Sequence, residues 1–247
     1  MAPPVDVIIP FRSMDDGKRR LRPLLEPGQR SALNAWFLTH TLAAALQLTG
    51  PARVWLVTPC EQARRVARAH GVRLIDEPVE SGEASTSESR LNHALSHALA
   101  TARQGGAGDV LIVSVDLPWL RSADLRSLCR LSREDPAAAP SCVIATDRTL
   151  QGTNALLIPA GRNMDFAYGA GSCQRHADNA RRQGMSVRTV CLPNLARDID
   201  TPQDYSHWVG EGRAARRRDP ADWTGGEPWM HSTNGSITIP LWMDFAA

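Results

Sequence analysis

The sequence predicts an α/β protein with a single three-layer domain built around a mostly parallel central sheet. Short apolar runs alternate along the chain with longer segments of helical character, and this β–α–β order is typical of a parallel sheet with right-handed crossovers. The 247 residues are 43% hydrophobic, which is enough for one domain with a substantial core. The run at residues 110–115 lacks alternation of polar and apolar residues, which indicates a strand buried on both faces.

Each element follows from apolar spacing and from the residues that bound it. Strands are predicted at residues 5–10, 54–58, 72–76, 110–116 and 187–191. Helices are predicted where apolar residues recur at helical spacing or a glycine ends the segment, at residues 31–48, 61–70, 91–102, 123–133 and 174–183. The segment at residues 11–22 is a polar, basic loop. Residues 77–89, rich in Glu, Ser, Gly and Thr, are predicted to be a mobile loop.

Two parts of the chain have more than one interpretation. The apolar runs at residues 142–146 and 154–158 fit a hairpin or two separate strands, and we favour a bent excursion from the main sheet. After a domain over residues 1–212, a tail over residues 213–247 begins with a basic run and becomes rich in Pro, Gly and Trp. Its apolar end, residues 237–243, has three arrangements open to it: packing on a sheet edge, which we favour, a homodimer contact, or disorder.

Charge and cysteine content argue against several classes of protein. With 28 basic and 26 acidic residues, the net charge is +2, whereas a nucleic-acid binder carries a clustered basic excess. We expect neither a signal peptide nor a membrane span, because no apolar run is long enough. The five cysteines are scattered without CxxC spacing, which indicates reduced thiols in a cytoplasmic protein rather than a zinc site or a disulfide framework.

Two segments that carry carboxylates are the first candidates for chemistry. Asp116 ends a buried strand, where a charge is costly unless it is paired or bound to metal, and where ligands bind in open α/β sheets. Asp198 and Asp200 point to the same face of an extended segment, whereas capping of a following helix explains Thr201 and Asp204. An acid there would complete a magnesium site with Asp116, since Mg²⁺ binds one or two carboxylates together with substrate phosphates. A capping or turn role is the alternative for Asp116.

The loop after the first strand is rich in cations, among them Arg12, Lys18, Arg19 and Arg20. A basic loop at the carboxyl edge of a sheet suits a triphosphate, because Lys and Arg neutralise the charge that develops on a leaving pyrophosphate. The chain has neither GxxxxGK[ST] nor GxGxxG, so the loop is neither a P-loop nor a Rossmann fingerprint. A merely solvated surface loop is the alternative interpretation.

Small and polar residues before two predicted helices are candidate ligand contacts. Ser172 is predicted to be an N-cap, with the free N–H groups of the following turn as an anion site. Gly169 and Gly171 precede it and permit a close approach to the backbone, and Thr153 offers a hydroxyl and a backbone amide. Asn92, at the start of another helix, either reads a base or ribose edge or caps that helix.

Six segments of the chain form a specific set when they are taken together and in order. They are Ile9-Pro-Phe-Arg12 with Gly17-Lys18-Arg-Arg20-Leu21, Leu91-Asn92-His-Ala-Leu95, Asp116-Leu-Pro, Asp147-Arg-Thr-Leu-Gln-Gly152-Thr153-Asn-Ala-Leu156, Tyr168-Gly169-Ala-Gly171-Ser172-Cys-Gln-Arg175-His176 and Asp198-Ile-Asp200-Thr-Pro-Gln-Asp204. Over about residues 5–210 this set closely resembles the 2-phospho-L-lactate guanylyltransferase family. Each motif alone is modest, and the specificity comes from six motifs in register.

The resemblance implies a GT-A-like nucleotidyltransferase domain that uses GTP and Mg²⁺ and makes the activated precursor of the deazaflavin coenzyme F-420. Carried over by position, it implies metal ligation by Asp116 and Asp198, with Asp200 ranked behind them. The implied nucleotide contacts are Arg12, Lys18, Arg20 and Asn92, and the implied contacts of the phosphorylated three-carbon acid are Thr153, Gly169 and Ser172. The residues expected to take part in catalysis are Lys18, Arg20 and Asp116.

Three positions depart from the family pattern. Arg12 stands where lysine is usual, Arg19 replaces a small hydroxyl residue, and Arg90 stands where glycine usually precedes Leu-Asn, which bears on the contact with guanine.

Arg175 and His176 are interpreted as helix-surface residues rather than catalysts.

The implied reaction is attack by a phosphate oxygen of the acid on the α-phosphorus of GTP, which expels pyrophosphate. Alignment and charge neutralisation suffice, so no protein nucleophile is required. The acid is 2-phospho-L-lactate, phosphoenolpyruvate or 3-phospho-D-glycerate. Two alternatives are another GT-A nucleotidyltransferase, acting on a molybdopterin or a sugar phosphate, and a catalytically idle GTP-binding protein.

Overall fold

The computed structural model describes residues 4–77, 86–135 and 138–218. Seven strands form one sheet in the order β3-β2-β1-β4-β6-β5-β7. The strands are β1 Val5–Pro10, β2 Val54–Val57, β3 Arg73–Ile75, β4 Asp109–Val113, β5 Cys142–Thr146, β6 Thr153–Ile158 and β7 Val187–Val190. The helices are α1 Pro27–Thr49, α2 Glu61–Ala69, α3 Ser87–Gln104, α4 Ser122–Ser132, α5 Ser172–Arg182 and α6 Pro202–Arg218. This arrangement confirms the predicted fold class.

Helices cover both faces of the sheet because alternate residues of each central strand point to opposite sides. In β1, Val7 and Ile9 pack in the cluster that contains residues of α1, α2 and α4. Ile8, between them, packs in the cluster that contains residues of α3 and α5. Strands buried on both faces need apolar residues throughout, which explains the unbroken apolar runs in the sequence.

The expected bent excursion at β5 and β6 is wrong, because both strands belong to the main sheet. β6 is inserted between β4 and β5 and runs antiparallel to both. All other strand pairs are parallel. Every residue of β5 and β6 is buried, and strands this apolar are stable only when sheet neighbours and helices cover them.

A third apolar cluster lies beneath the loop after β1 and the segment before α6. It contains one residue of a short 3₁₀ helix after β1, one residue just before α1, three residues of α1, Ile199 and a tryptophan of α6: Leu21, Leu25, Leu33, Trp36, Phe37, Ile199 and Trp208. The loop after β1 and the segment before α6 therefore share one apolar floor. This floor fixes the two segments relative to each other.

The structure tests only part of the predictions for the C-terminal tail and for the loop at residues 77–89. Helix α6 continues across the expected boundary at residue 212 and ends at Arg218, and residues 219–247, including the apolar end of the tail with its homodimer alternative, lie outside the described residues. Residues 78–85 of the predicted mobile loop also lie outside them, whereas Ser87 to Ser89 are helical. Among the helices that the structure describes, none is long and apolar enough to cross a lipid bilayer.

We expect two histidines to make the fold acid-sensitive. Burial lowers the pKa of both His40 and His176 from 6.5 to about 4. As the pH falls from 6.5 to 4, the unfolded chain binds protons that the folded chain does not, so each histidine should lower the free energy of unfolding by about 3 kcal/mol. Denaturant titrations at pH 7, 5.5 and 4.5 measure this loss.

A matched pair of variants isolates the histidine contribution from that of the carboxylates. His40→Gln should reduce the loss of stability between pH 7 and 4.5. His97→Gln, on an exposed position of α3, should leave it unchanged. Equal pH dependence in the wild type and His40→Gln would contradict the assignment.

Candidate active site

Two segments far apart in the chain meet at the carboxyl end of β4. The backbone N–H of Ile199 donates to the backbone oxygen of Asp116 at 3.1 Å. The Ile199 side chain is fully buried in the third apolar cluster, so Asp198 and Asp200 on either side of it share the opposite direction. One carboxylate oxygen from each of Asp116, Asp198 and Asp200 lies within 4.8 Å of the others. We call these three residues the acidic cluster.

The acidic cluster has the donors that a hard divalent cation requires. Three carboxylates this close repel one another, and burial together with the charges of Asp116 and Asp200 raises the pKa of Asp198 to about 6. Bound Mg²⁺ relieves such repulsion and takes oxygen ligands, so the residues present fit this ion. The structure also brings Asp200 into the group, although the sequence ranked it behind Asp116 and Asp198.

Lys18 is a counter-charge inside the acidic cluster. Its Nζ lies 2.6 Å from Oδ2 of Asp116 and 2.9 Å from Oδ1 of Asp200. Burial alone would lower the pKa of Lys18, but the two carboxylates outweigh burial and raise the pKa above its usual value. Lys18 therefore stays protonated at neutral pH. Its single positive charge leaves the cluster with a net negative charge when all three acids are ionised.

The loop that carries Lys18 packs closely against α1. Asn34 of α1 donates its side-chain N–H to the backbone oxygen of Met14 at 2.6 Å, and a Cβ on Gly17 would lie 2.5 Å from the same amide nitrogen. A residue with a side chain would therefore displace Asn34 or the loop. Lys18 itself has a left-handed backbone, with φ of 53°, which is uncommon for a non-glycine residue.

Three other cations of this loop, Arg12, Arg19 and Arg20, lie on its exposed side. Arg19 pairs with Asp16 at 3.1 Å, and both side chains are exposed. Arg12 and Arg20 are exposed as well. The structure thus places Lys18 in the acidic cluster, and the nucleotide contacts of Arg12 and Arg20 stay predictions.

Thr153, Ser172 and His176 form a second, buried polar group between β6 and α5. The Thr153 Oγ1 lies 2.9 Å from Nδ1 of His176, and Ser172 Oγ donates to the same Thr153 oxygen at 3.3 Å. The backbone N–H of Ala167 donates to Nε2 of His176 at 2.9 Å. Burial, with a contribution from the charge of Arg175, keeps the ring neutral near pH 7 by lowering its pKa to about 4.

Two predictions about this region are wrong. Ser172 is not the N-cap but the first residue of α5, because Gly171 takes the cap position with φ of 68°. The N–H groups of Ser172 and Cys173 already donate to the backbone oxygens of Gly169 and Gln151, so the anion site expected there is not open at these two amides. His176 is not on the helix surface: its side chain faces the sheet and is fully buried.

The backbone around Gly169 is held by contacts from both neighbouring helices. The Tyr168 N–H donates to Oδ1 of Asn92 at 2.7 Å. At Gly169, φ is +117°, and a Cβ would lie 3.1 Å from Cγ of Glu88 and 3.2 Å from Nη2 of Arg175. Any other residue would be strained and crowded at this position.

The prediction that Asn92 lies at the start of a helix is also wrong, because α3 begins at Ser87, five residues before Asn92. Thr86 is the N-cap of α3, and its side chain accepts from Ser89 N–H at 3.1 Å. Asn92 therefore lies inside the helix, where its amide binds the backbone of Tyr168. Its expected contact with the nucleotide stays a prediction.

The segment with Asp198 and Asp200 is anchored at its far end. Asp204 accepts from the N–H and the hydroxyl of Thr201 at 2.9 and 2.7 Å, as the predicted cap requires. Arg148, in the loop between β5 and β6, pairs with Asp204 at 2.6 Å. The role of Arg148 as an anchor was not predicted from the sequence, in which its only signal is its place in the motif that begins at Asp147.

The chain as a whole is similar to enzymes of one type. Residues 5–219 match the family model described as "Guanylyl transferase CofC like". A phosphoenolpyruvate guanylyltransferase of Conexibacter woesei is 35% identical over 197 residues, which cover 80% of this chain and 83% of that protein. A 3-phospho-D-glycerate guanylyltransferase of Phenylobacterium zucineum is 33% identical over 215 residues, covering 86% and 92%.

A solved structure supports the fold. A nucleotidyl transferase from Methanothermobacter superposes with a TM-score of 0.56 at 17% identity, covering 83% of this chain and 95% of that one.

Proposed function

The chain belongs to the CofC-like guanylyl transferase family, and from this premise we propose that it transfers GMP from GTP to the phosphate of a small phosphorylated three-carbon acid. The candidate acids are phosphoenolpyruvate, 3-phospho-D-glycerate and 2-phospho-L-lactate, two of which appear in the names of relatives. The observation that carries the proposal is the acidic cluster with Lys18 inside it, at the carboxyl end of β4. We further propose that the product is the activated precursor of coenzyme F-420.

In the proposed reaction, a phosphate oxygen of the acid forms a bond to the α-phosphorus of GTP, and the bond between this phosphorus and the bridging oxygen breaks. Pyrophosphate leaves with the electron pair of that bond. Asp116, Asp198 and Asp200 would hold Mg²⁺, which when bound would offset the negative charge of the phosphates. Lys18 supplies a fixed positive charge beside them, and such preorganised charge stabilises the transition state.

The remaining contacts divide between the two substrates. We propose that Arg12, Lys18, Arg20 and Asn92 contact the nucleotide and that Thr153, Gly169 and Ser172 contact the acid. The exposed arginines suit a triphosphate that approaches from solvent. Gly169, which has no side chain, suits a ligand that approaches the backbone closely.

Replacing Ser172 with alanine is expected to raise the KM for the acid about 3- to 10-fold and to change the KM for GTP less than twofold. The reason is that the hydroxyl bonds to Thr153 on the acid side of the site, and loss of one hydrogen bond has an effect of this size. Steady-state kinetics with each substrate varied in turn measure both constants. Ser127→Ala, a half-buried residue of α4 outside this group, is the control. A larger effect on GTP would place Ser172 on the nucleotide side.

Pyrophosphate release is the direct test of the proposed function. The purified protein is incubated with Mg²⁺, GTP and each of the three acids in turn, with glucose 1-phosphate as the acceptor control and ATP as the nucleotide control. We expect release with GTP and at least one of the three acids. The proposal would be contradicted if pyrophosphate were released only with the sugar phosphate. It would also be contradicted if pyrophosphate were released with none of the acceptors.

A further inference from the structure

We propose that His176 is a positioning residue that fixes the Thr153 hydroxyl as a hydrogen-bond donor, so that the acid side of the site recognises an acceptor oxygen of the acid, such as an oxygen of its carboxylate. This inference rests on the proposed function and deepens it on the acid side of the site. The three residues are largely buried, since Thr153, Ser172 and His176 are 5%, 2% and 0% exposed, and Thr153 keeps the largest accessible share.

The tautomer of His176 follows from its two partners. A backbone N–H can only donate, and Ala167 N–H lies 2.9 Å from Nε2 of His176, so Nε2 carries no proton. A neutral imidazole has one N–H, which must then be on Nδ1. Nδ1 lies 2.9 Å from Oγ1 of Thr153. The ring is therefore the donor in this bond, and the Thr153 oxygen is the acceptor.

The direction of the Thr153 hydroxyl follows from this tautomer. A hydroxyl oxygen has two acceptor lone pairs and one hydrogen. His176 uses one lone pair, and the Ser172 hydroxyl, which donates to the same oxygen at 3.3 Å, uses the other. The hydrogen of Thr153 is then left to point away from both partners, toward a third group that must be an acceptor. The proposed substrates carry two charged acceptors, a carboxylate and a phosphate, and the carboxylate is the one that takes no part in the bond to the α-phosphorus.

The same ring also supports the other wall of the acid site. Through Nε2 it holds Ala167, two residues before Gly169, and the Tyr168 ring packs edge-on against it with centroids 4.7 Å apart. Arg175 Nη2 donates to the backbone oxygen of Ala167 at 2.9 Å. His176 thus joins Thr153 and the Gly169 segment, which the family resemblance assigns to one ligand.

The wild-type protein tests the tautomer without any assay of activity. Long-range ¹H–¹⁵N spectra of histidine-labelled protein at pH 7 distinguish a ring protonated on Nδ1 from one protonated on Nε2, and loss of one signal set in His176→Asn assigns it. We expect His176 to be protonated on Nδ1 alone. A proton on Nε2 would overturn the proposal, whatever reaction the protein catalyses.

Kinetics test the consequence for the substrate, with phosphoenolpyruvate and GTP as the probes. His176→Leu removes the donor, and Thr153→Val removes the hydroxyl. Each is expected to raise the KM for phosphoenolpyruvate about 10- to 100-fold with less than a threefold change for GTP, since a bond to a charged group is lost. The double variant should be no worse than either single variant, because the two residues act through one bond.

Two conservative variants separate the roles of the two ring nitrogens. Asparagine can donate from the position of Nδ1, so His176→Asn should keep the KM for phosphoenolpyruvate within about threefold of wild type. Glutamine reaches the position of Nε2 but not that of Nδ1, so His176→Gln should behave like His176→Leu. Additive effects of the Thr153 and His176 variants, or equal effects on both substrates, would show a structural role only and overturn the proposal. If the wild type uses none of the acids, the proposed function fails while the tautomer measurement still stands.

Discussion

Replacing Asp198 with asparagine is expected to abolish nucleotidyl transfer and, at the same time, to make the metal-free protein more stable. The activity should fall at least about 10³-fold, because the variant loses a charged ligand of the proposed Mg²⁺ site and the charge stabilisation that the ion would provide. The stability should rise because the asparagine side chain ends the repulsion among three carboxylates whose oxygens lie within 4.8 Å.

The pKa of Asp198 gives the size and the pH dependence of the gain in stability. Its value in the folded protein, about 6, is above the usual 3.8, so the unfolded chain ionises more readily and the acid destabilises the fold at pH 7. The corresponding free energy is about 3 kcal/mol at most, and we expect a gain of about 1–3 kcal/mol in Asp198→Asn. The gain should shrink as the pH falls from 6 to 3.8 and vanish near pH 3, where the acid is protonated in both states.

Two further variants are compared with Asp198→Asn: Asp116→Asn removes a second carboxylate of the acidic cluster, and Asp15→Asn is the control. Asp116→Asn should lose activity to the same extent but gain little or no stability, because its carboxylate bonds to Lys18 at 2.6 Å. Asp15 is an exposed residue of the neighbouring loop, so Asp15→Asn should change neither property. Near-wild-type activity in Asp198→Asn with Mg²⁺ present, or a loss of stability in that variant, would contradict the account of the acidic cluster.

Replacing Lys18 with methionine is expected to lower kcat about 10²- to 10³-fold and to destabilise the metal-free protein by about 1–3 kcal/mol. The activity falls because a preorganised positive charge beside the phosphates is lost. The stability falls because Asp116 and Asp200 lose the ammonium that lies 2.6 and 2.9 Å from them, and a carboxylate without its partner costs free energy when it is partly buried.

Added Mg²⁺ separates the two effects of the Lys18 substitution. The ion should restore much of the lost stability of Lys18→Met, measured as the shift in Tm, because it supplies positive charge to the same carboxylates. It should not restore kcat. Lys18→Arg should fall between the wild type and Lys18→Met, since the charge is kept but the planar guanidinium has a different geometry. Arg22→Met, an exposed residue four positions on, is the control. A stable and active Lys18→Met would refute the role of Lys18.

The parts of the site that local patterns determine were predicted from the sequence. Asp116 marks the end of an apolar run, and the spacing of Asp198 and Asp200 indicates a shared face on an extended segment. That these acids meet depends on a backbone bond between Ile199 and Asp116. Such a contact, across more than 80 residues, has no signal in a single sequence.

The parts that depend on tertiary packing were predicted less well. The helix that contains His176 is polar, so its histidine suggested a surface position, whereas the partners that bury it lie on β6 and in the loop before α5. Gly171 and Ser172 both suit a cap, and the bond from Ser172 to Thr153 decides between them. Apolar runs show that β5 and β6 are buried, but they do not show which strand each one pairs with.

Binding of Mn²⁺, measured by electron paramagnetic resonance as a substitute for Mg²⁺, tests most directly whether the acidic cluster holds a divalent cation. Titrations of the wild type, Asp198→Asn and Asp15→Asn are compared, each with and without GTP. We expect the wild type and Asp15→Asn to bind Mn²⁺ alike, and Asp198→Asn to bind it at least tenfold more weakly under both conditions. Equal affinity in all three proteins would contradict the metal site and the mechanism that depends on it.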